Sequence, residues 1–186
     1  ARMVRGAADP RAKAERLVRE VNALLEKKPT VSLPSAAEVL RTKVGDCNEH
    51  TALFVALARA QGIPARIDVG LVMVHGAFYY HAWPEVYLPT APGRGQWLPV
   101  DPTLNQFPAD ATHLRLARGG LEQQAAILPL IGRLRITVTD VELVPGAVPI
   151  LVGRADTDLQ PLALDLPVRQ ACGCWTSPCA PGGPSR

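Results

Sequence analysis

Apolar residues recur at helical spacing in the first part of the chain. Between residues 10 and 27 they lie among charged residues, and Pro10 suits the first turn of a helix. The repeating positions are Ala14, Leu17, Val18, Val21, Leu24 and Leu25. This period predicts an amphipathic helix over 10–27. Further along, Ser35 is suited to cap a short second helix over 36–42.

The clearest helix of the sequence is predicted over residues 47–61. Asp46 can serve as its N-cap, and Glu49, three residues on, completes a reciprocal capping arrangement. Gly62 is placed to end the helix, and a proline follows two residues later. Residues 52–58 are apolar almost all round, so we expect a buried helix with Cys47 in its first turn.

Short β-like runs follow this helix. They are rich in Ile, Val and aromatic residues, and turn residues separate them. The predicted strands cover residues 65–74, 78–88, 96–100 and 112–116, followed by a helix over 121–128 and a strand over 134–143. Short connections between successive strands favour an antiparallel meander over parallel strands joined by helices.

The character of the chain changes after Val144. Proline, glycine and aspartate then recur without periodicity, and the last fifteen residues are rich in Cys, Gly, Pro and Ser. We therefore expect one compact domain over 9–144 and a poorly structured extension over 145–186, with one strand near 148–152.

Composition and charge argue against two classes of partner. The chain has 186 residues, of which 47% are hydrophobic, which is enough for a real core. The net charge is only +3 and the basic residues are scattered, so no nucleic-acid partner is expected. No apolar run approaches the ~20 residues that cross a bilayer, so no transmembrane segment is expected. The oligomeric state is open, as is whether the chain is a piece of a longer protein.

The four cysteines divide unevenly along the chain. Cys47 stands alone in the body, whereas Cys172, Cys174 and Cys179 lie close together near the C-terminus. The C-terminal group lacks a fourth ligand and the spacing of a zinc site, so a disordered tail or disulfides are favoured over a structural metal. The cysteines leave the compartment open, with an extracytoplasmic location slightly favoured.

Cys47, His81 and Asp101 are the candidate catalytic residues. The partial positive charge of a helix N-terminus favours a thiolate at Cys47, and a neighbouring imidazolium would lower the pKa of the thiol further. The charge of Asp46 works mildly against this. In a triad of this kind, the sulfur attacks a carbonyl, the imidazole moves the proton and the carboxylate holds the imidazole. The order Cys, His, Asp therefore predicts acyl transfer or hydrolysis.

Structural interpretations of the same residues remain open. Cys47 could be an inert buried residue, which is a common fate of free cysteine. His81 could be packed in the core, and Asp101 is equally suited to a turn before its proline. The domain would then serve as a scaffold or a partner-binding module. A metal hydrolase is a third alternative, but the cysteine and the histidines match no compact metal motif.

Four motifs make the chain similar to the transglutaminase-like superfamily, which is distantly related to papain-type cysteine proteases. They are GDCNEH at 45–50, LFVALARAQGIPAR at 53–66, HAWPEV at 81–86 and WLPVDPT at 97–103. The resemblance covers about residues 10–144 and points to the compact microbial branch. Proteolysis, amide transfer and uncharacterised roles all occur in that branch.

The resemblance implies both a fold and an activity. The implied fold is α+β, of papain/transglutaminase type, with N-terminal helices and a buried cysteine-bearing helix packed on an antiparallel sheet. Cys47 is implied as the nucleophile, His81 as general base and acid, and Asp101 as the orienting carboxylate. The implied reaction is acyl transfer on peptide or side-chain amides of a peptide or protein substrate, through a thioester. Hydrolysis is favoured slightly over amine transfer, because excluding water demands a closed tunnel.

One feature of the superfamily is missing from the sequence. Eukaryotic transglutaminases use a tryptophan upstream of the cysteine in the oxyanion hole, and no tryptophan precedes Cys47. The backbone N–H of Cys47 can supply one donor, and Asn48 is a candidate for the second. The calcium sites of those enzymes have no visible counterpart, so neither a metal nor a cofactor is expected.

Four other side chains complete the candidate site and its surroundings. Trp83 shares a strand face with His81 by alternation and could shield the site from water or simply fill the core. His50 lies three positions after Cys47 on the same helix, where packing is favoured over tuning of the site. We expect His75 and His113 to be structural or solvated.

Overall fold

The computed structural model describes residues 3–30, 35–130, 133–138 and 164–169. Its helices are α1 (Pro10–Leu24), α2 (Ala36–Thr42), α3 (Cys47–Ala60) and α4 (Leu121–Ile127), and a 3₁₀ turn covers Leu128–Leu130. In this part of the chain, no helix is long and apolar enough to cross a membrane.

Helix α1 ends three residues before the predicted boundary. Leu25 has an extended backbone, and the N–H of Glu26 donates to the carbonyl of Lys43 at 2.9 Å. Two short strands, β1 (Glu26–Lys27) and β2 (Val44–Gly45), then pair in parallel. This strand pairing ends the helix at Leu24, although the helical spacing of apolar residues continues to Leu25.

Helix α3 has the capping predicted from its sequence. The Asp46 side chain accepts a hydrogen bond from the N–H of Asn48 at 2.9 Å, and Glu49 accepts one from the N–H of Asp46 at 2.9 Å. Gly62 follows the helix with φ of +74°, a conformation that suits glycine. Local sequence signals therefore explain why the helix begins at Cys47.

The strands after α3 form a mixed sheet. They are β3 (Ala65–Val74), β4 (Ala77–Ala91), β5 (Arg94–Pro99), β6 (His113–Arg118), β7 (Arg135–Val138) and β8 (Leu164–Arg169). Their order is β6-β3-β4-β8-β7, and β5 also pairs with β4. Strands β3, β4 and β5 form the predicted antiparallel meander, whereas β6 returns to the outer edge of β3. The antiparallel α+β fold is confirmed.

Two predictions fall partly beyond the described residues. The predicted strand over 134–143 is seen as β7, and residues 139–143 lie outside the described part. The strand expected near 148–152 and the three C-terminal cysteines also lie outside it. Within the expected extension, β8 pairs antiparallel with β7 and parallel with Phe78 and Tyr79 of β4. The sequence pattern did not indicate this strand.

Gly70 permits the close approach of β6 to β3. A Cβ at this position would lie 2.1 Å from the carbonyl oxygen of Leu114, and the β3–β6 register shifts between Val69 and Gly70. A side chain here would overlap backbone atoms that cannot move independently of the strand. The glycine thus sets the position of β6, which begins with His113.

A network of ion pairs around two buried carboxylates also joins β3, β4 and β6. Glu85 is bound by Arg66 at 2.7 Å and by Arg115 at 2.6 Å. Arg115 also donates to Asp68 at 3.1 Å, and Arg118 donates to Asp68 at 3.2 Å. Because both carboxylates are almost fully buried, their charges need these partners.

The main core lies between the helices and one face of the sheet. Leu17 of α1, Phe54 of α3 and Val86 of β4 are buried in one apolar cluster. Leu53 and Phe54 have no exposed surface, which agrees with the apolar circumference predicted for α3. The buried helix is therefore held on the strands that carry the other candidate site residues.

Candidate active site

Cys47 is the first residue of α3 and lies in a second buried cluster. The residue is 4% exposed, and its cluster includes Val69, Ala82 and Ile127. Tyr80 packs against the same cluster from β4. The helix N-terminus therefore meets the sheet at the stretch of β4 that contains His81.

A hydrogen bond fixes α3 to that stretch of β4. The hydroxyl of Thr51 donates to the carbonyl oxygen of Ala82 at 3.0 Å, and both residues are buried. Thr51 lies about one helical turn after Cys47, and Ala82 follows His81 directly. The helix that carries the cysteine is thus tied to the strand that carries the histidine.

His81 and Asp101 are joined by a short hydrogen bond. Nε2 of His81 lies 2.7 Å from Oδ2 of Asp101, and neither side chain has exposed surface. The other carboxylate oxygen accepts from the N–H groups of Thr103 at 2.7 Å and Leu104 at 3.0 Å. Asp101 therefore caps the turn suggested by the sequence and binds His81 as well.

A second histidine binds the same oxygen of Asp101. Nε2 of His113 lies 3.0 Å from Oδ2 of Asp101, and the His113 side chain is 3% exposed. Of the two expectations for His113, structural or solvated, the structure agrees with the first, because β6 turns the ring inward. No spacing in the sequence links it to Asp101, since the intervening loop has no periodic pattern.

The contacts in this group change the ionisation of Asp101 and of His113. Burial raises the pKa of Asp101, but the charge of His81 and the hydrogen bond from His113 outweigh it and hold the pKa well below its usual range. Burial lowers the pKa of His113, but the hydrogen bond and charge of Asp101, with Asp110, raise it above its ordinary value. Asp101 is therefore an anion at neutral pH.

The surroundings of Cys47 favour the neutral thiol over the thiolate. Burial and the charge of Asp46 raise the pKa of Cys47 well above its usual range, and the backbone N–H of Ala82 only partly opposes them. The expected lowering by the helix N-terminus is thus outweighed by desolvation. Burial and a hydrogen bond with Glu49 in turn raise the pKa of Asp46 to about 7.

Trp83 and His50 are both buried near these groups. The Trp83 ring stacks on His81 with centroids 5.9 Å apart and an angle of 17°, and it meets His113 edge-on at 5.1 Å. His50 directs Nδ1 to the carbonyl of Asp46 at 2.6 Å, and burial lowers its pKa. His50 is therefore a neutral ring that packs within α3, whereas Trp83 contacts the rings of both His81 and His113.

Asn48 and His75 lie elsewhere around the helix and sheet. The backbone N–H of Asn48 donates to Asp46, which leaves the side-chain amide as the remaining donor of this residue. His75 occupies the exposed turn between β3 and β4, with φ of +49°. The structure therefore keeps Asn48 at the start of α3 beside Cys47 and puts His75 at a strand connection.

Among the residues that the structure describes, one group of side chains has atoms close enough to hold a metal ion. Ligand atoms of His81, Asp101 and His113 lie within 4.8 Å of one another. In the structure, however, both histidine nitrogens lie within hydrogen-bond distance of the carboxylate oxygen. The three side chains therefore satisfy one another by hydrogen bonding.

The sequence model of the transglutaminase-like superfamily matches residues 1–102, which is more than half of the chain. The chain belongs to this superfamily. The matched range contains Cys47, His81 and Asp101, so all three candidate catalytic residues lie within the superfamily's core. His113 lies beyond it.

Curated relatives of this superfamily member occur in mycobacteria. Uncharacterized proteins of Mycobacterium bovis and Mycobacterium tuberculosis are each 33% identical to it, over 51% of this chain and 32% of the relative. The chain spans about a third of the length of the curated relatives it matches.

Solved structures that partly resemble this chain include two bacterial proteins. A candidate cysteine protease from Cytophaga hutchinsonii is 26% identical, with a TM-score of 0.48 over 57% of this chain and 35% of that chain. The periplasmic domain of TgpA from Pseudomonas aeruginosa, bound to ethylmercury, is 27% identical, with a TM-score of 0.42 over 56% of this chain and 41% of that chain.

Proposed function

We propose that the chain is a cysteine-dependent acyl-transfer enzyme that acts on peptide or side-chain amides. Cys47 is the nucleophile, His81 the general base and acid, and Asp101 the residue that orients the imidazole. The buried 2.7 Å hydrogen bond between His81 and Asp101 carries the proposal. His81 lies on β4, and the hydrogen bond between Thr51 and Ala82 attaches the cysteine helix to the same strand. The chain also belongs to the transglutaminase-like superfamily.

The first half-reaction forms a thioester. The Cys47 thiol gives its proton to His81 as the sulfur attacks the substrate carbonyl, so a C–S bond forms and the carbonyl oxygen becomes negative. The backbone N–H of Cys47, in the first turn of α3, has no partner within the helix and can stabilise that oxygen. Collapse of the intermediate breaks the C–N bond, and His81 returns its proton to the departing amine.

The second half-reaction releases the acyl group. A water molecule, or the amine of a second substrate, attacks the thioester while His81 accepts its proton. The C–S bond then breaks, and the sulfur recovers the proton from His81. We favour water as the acceptor, since transfer to an amine needs a site that excludes water. The side chain of Asn48 remains the candidate for a second oxyanion donor.

The burial of Cys47 sets a condition on this reaction. A substrate carbonyl can contact the sulfur only after part of the cluster around Cys47 moves, since the residue is 4% exposed. The raised pKa of the thiol further favours proton transfer that accompanies attack over a thiolate formed in advance. Both properties are consistent with a site that is completed when substrate binds.

The proposal is tested with glutamine-containing peptides, incubated with and without a primary amine. Ammonia release without the amine indicates hydrolysis, and incorporation of the amine indicates transfer. Cys47→Ala should abolish both reactions and keep the circular dichroism spectrum and thermal midpoint of the native chain. Turnover that survives this substitution would remove Cys47 from the mechanism.

A scaffold or partner-binding domain is the second candidate, and the buried, weakly acidic thiol favours it. Iodoacetamide labelling distinguishes the two functions. A site thiol should react with iodoacetamide, should be protected by an added peptide substrate, and should react more slowly in His81→Ala. A thiol that stays unreactive under every condition supports the scaffold. Metal analysis of the purified protein, with activity measured before and after chelation, tests the metal-hydrolase alternative.

The activity and partners of the whole protein are part of the same proposal. A peptide or protein substrate is expected from the reaction, and an extracytoplasmic location remains a prediction. We also propose residues 9–144 as the catalytic domain and 145–186 as a C-terminal extension.

A further inference from the structure

The two ring nitrogens of His113 both face acceptors. Nε2 lies 3.0 Å from Oδ2 of Asp101. Nδ1 lies 3.2 Å from the carbonyl oxygen of Asp110 and 3.3 Å from its Oδ1. A carbonyl and an ionised carboxylate offer only lone pairs, so each contact is a hydrogen bond only if the ring nitrogen carries a proton.

The remaining neighbour of Nδ1 does not change this assignment. The hydroxyl of Thr112 lies 3.5 Å from Nδ1, but it also contacts Oδ1 of Asp110 more closely. The hydroxyl proton therefore goes to the carboxylate, and Thr112 can only accept from His113. Both nitrogens of His113 thus donate, and the ring is an imidazolium.

Neighbouring aromatic rings and hydrogen bonds both hold the His113 ring in place. Trp83 meets it edge-on at 5.1 Å, and the His81 ring lies 5.6 Å away. Its side chain is 3% exposed. Since packing and two sets of hydrogen bonds oppose rotation, the direction of the Nε2–H bond toward Asp101 is fixed.

We propose that His113 is a positioning residue of the site, an imidazolium that clamps Oδ2 of Asp101 in the orientation that also binds His81. This inference rests on the proposed function, because Asp101 needs a fixed orientation only if it orients a catalytic imidazole. Oδ1 is fixed by two backbone N–H groups, and His113 supplies the matching restraint on Oδ2.

The charge of His113 has a consequence for proton transfer. One carboxylate faces two imidazole rings, so a positive charge on His113 already neutralises Asp101. A proton gained by His81 then lies 5.6 Å, between ring centroids, from a second positive charge. The proposed transfer of the Cys47 proton to His81 therefore places two positively charged rings beside one carboxylate.

Other charged groups near the ring are paired. The titratable and charged groups that face His113 are Asp101 from the loop after β5, Asp110 from the loop before β6 and His81 from β4. Arg115, two residues further along β6, is bound to Asp68 and Glu85. The charge of His113 is therefore balanced by Asp101 and Asp110.

Nitrogen NMR of the histidine rings tests the protonation directly, without reference to activity. His113 in the native chain should show two protonated ring nitrogens at pH 7, where an ordinary histidine, with a pKa of about 6.5, is mostly neutral. In His113→Phe, the resonance of the proton between His81 and Asp101 should broaden or shift. A neutral His113 at pH 7, or an unchanged His81–Asp101 proton, would overturn the inference.

Kinetics provide the second test. His113→Phe should lower kcat by about 10- to 100-fold with little change in KM, by analogy with the loss of an outer-shell hydrogen-bond partner at a metal-bound histidine. His113→Gln can keep one donor without the charge, so it should recover part of kcat but show an altered pH profile. His75→Asn, at an exposed turn, is the matched control and should behave as wild type.

The outcomes separate the two proposals. An inactive native chain whose His113 is doubly protonated contradicts the proposed function but supports the placement of His113. An active enzyme whose kcat and pH profile do not change in His113→Phe and His113→Gln contradicts the positioning role alone. Loss of kcat in proportion to the unfolded fraction, with a wild-type pH profile, assigns His113 to folding and also contradicts it.

Discussion

The hydroxyl of Thr51 donates a 3.0 Å hydrogen bond to the carbonyl oxygen of Ala82. This contact joins the second turn of the cysteine helix to the residue after His81. Its members lie 31 positions apart in the chain, and both are buried. The relative position of Cys47 and His81 therefore depends on it.

Replacing Thr51 by valine should reveal this dependence. Thr51→Val keeps the shape of the side chain but removes the donor, so we expect a loss of about 1–2 kcal/mol in the free energy of unfolding. Turnover should fall further than the folded fraction, because α3 can then shift along β4. Thr51→Ser is the control and should keep most of the activity. Equal activity of the two variants would contradict the prediction.

Asp101→Asn should lower kcat by about 10⁴-fold, as the equivalent change does in a serine protease triad. The amide can donate a proton to His81 and so favour the wrong tautomer, and it removes one of the two counter-charges of His113. Stopped assays on a thioester or amide substrate measure the loss. Asp9→Asn, at the exposed N-cap of α1, is the control and should leave kcat unchanged. Wild-type kinetics in Asp101→Asn would remove Asp101 from the mechanism.

Asp46→Asn should make Cys47 more reactive in a pH-dependent manner. The carboxylate of Asp46 raises the pKa of the thiol, and its own pKa is raised to about 7. It is therefore mostly neutral at pH 6 and charged at pH 8. The ratio of alkylation rates, variant over wild type, should be near one at pH 6 and rise as the pH passes 7.

Asparagine can still cap α3, so Asp46→Asn should leave the helix intact. Circular dichroism of the variant checks this point. A rate ratio that is the same at pH 6 and pH 8 would show that the charge of Asp46 does not act on the sulfur.

Ile127→Ala should speed the alkylation of Cys47 by iodoacetamide. Ile127 of α4 belongs to the buried cluster of Cys47 and is itself 5% exposed. Removing most of its side chain leaves space next to that cluster and lowers the cost of opening it. Leu128→Ala changes a neighbouring side chain that is 49% exposed, and it should not alter the rate. An alkylation rate that is unchanged in Ile127→Ala would mean that iodoacetamide reaches the sulfur from another side of the cluster.

The sequence predicted the elements whose causes are local. Asp46, Glu49 and Gly62 define α3 through capping and a positive φ, and these signals require no tertiary information. The strands β3 and β4 were equally evident, because β-branched and aromatic residues fill them. The motifs of the superfamily then supplied the three candidate catalytic residues.

The features that escaped prediction depend on long-range pairing. The end of α1 is set by Glu26 pairing with Val44, and the strand β8 exists because β4 and β7 offer it partners. His113 reaches Asp101 only because β6 returns beside β3. Burial of Cys47, which reverses the expected direction of its pKa shift, is likewise a property of the assembled fold.

The hairpin formed by β4 and β5 has a consequence for the spacing of the site. Pro99 pairs with Glu85, and the N–H of Val100 donates to Pro84, so Asp101 is brought back toward His81 by strand register. Extra residues at the hairpin tip would lengthen the loop and leave these pairs in place. One residue deleted within β5 would reverse which side chains face inward and carry the carboxylate away from the imidazole. Chains with hairpins of very different length can therefore preserve the same histidine–aspartate geometry.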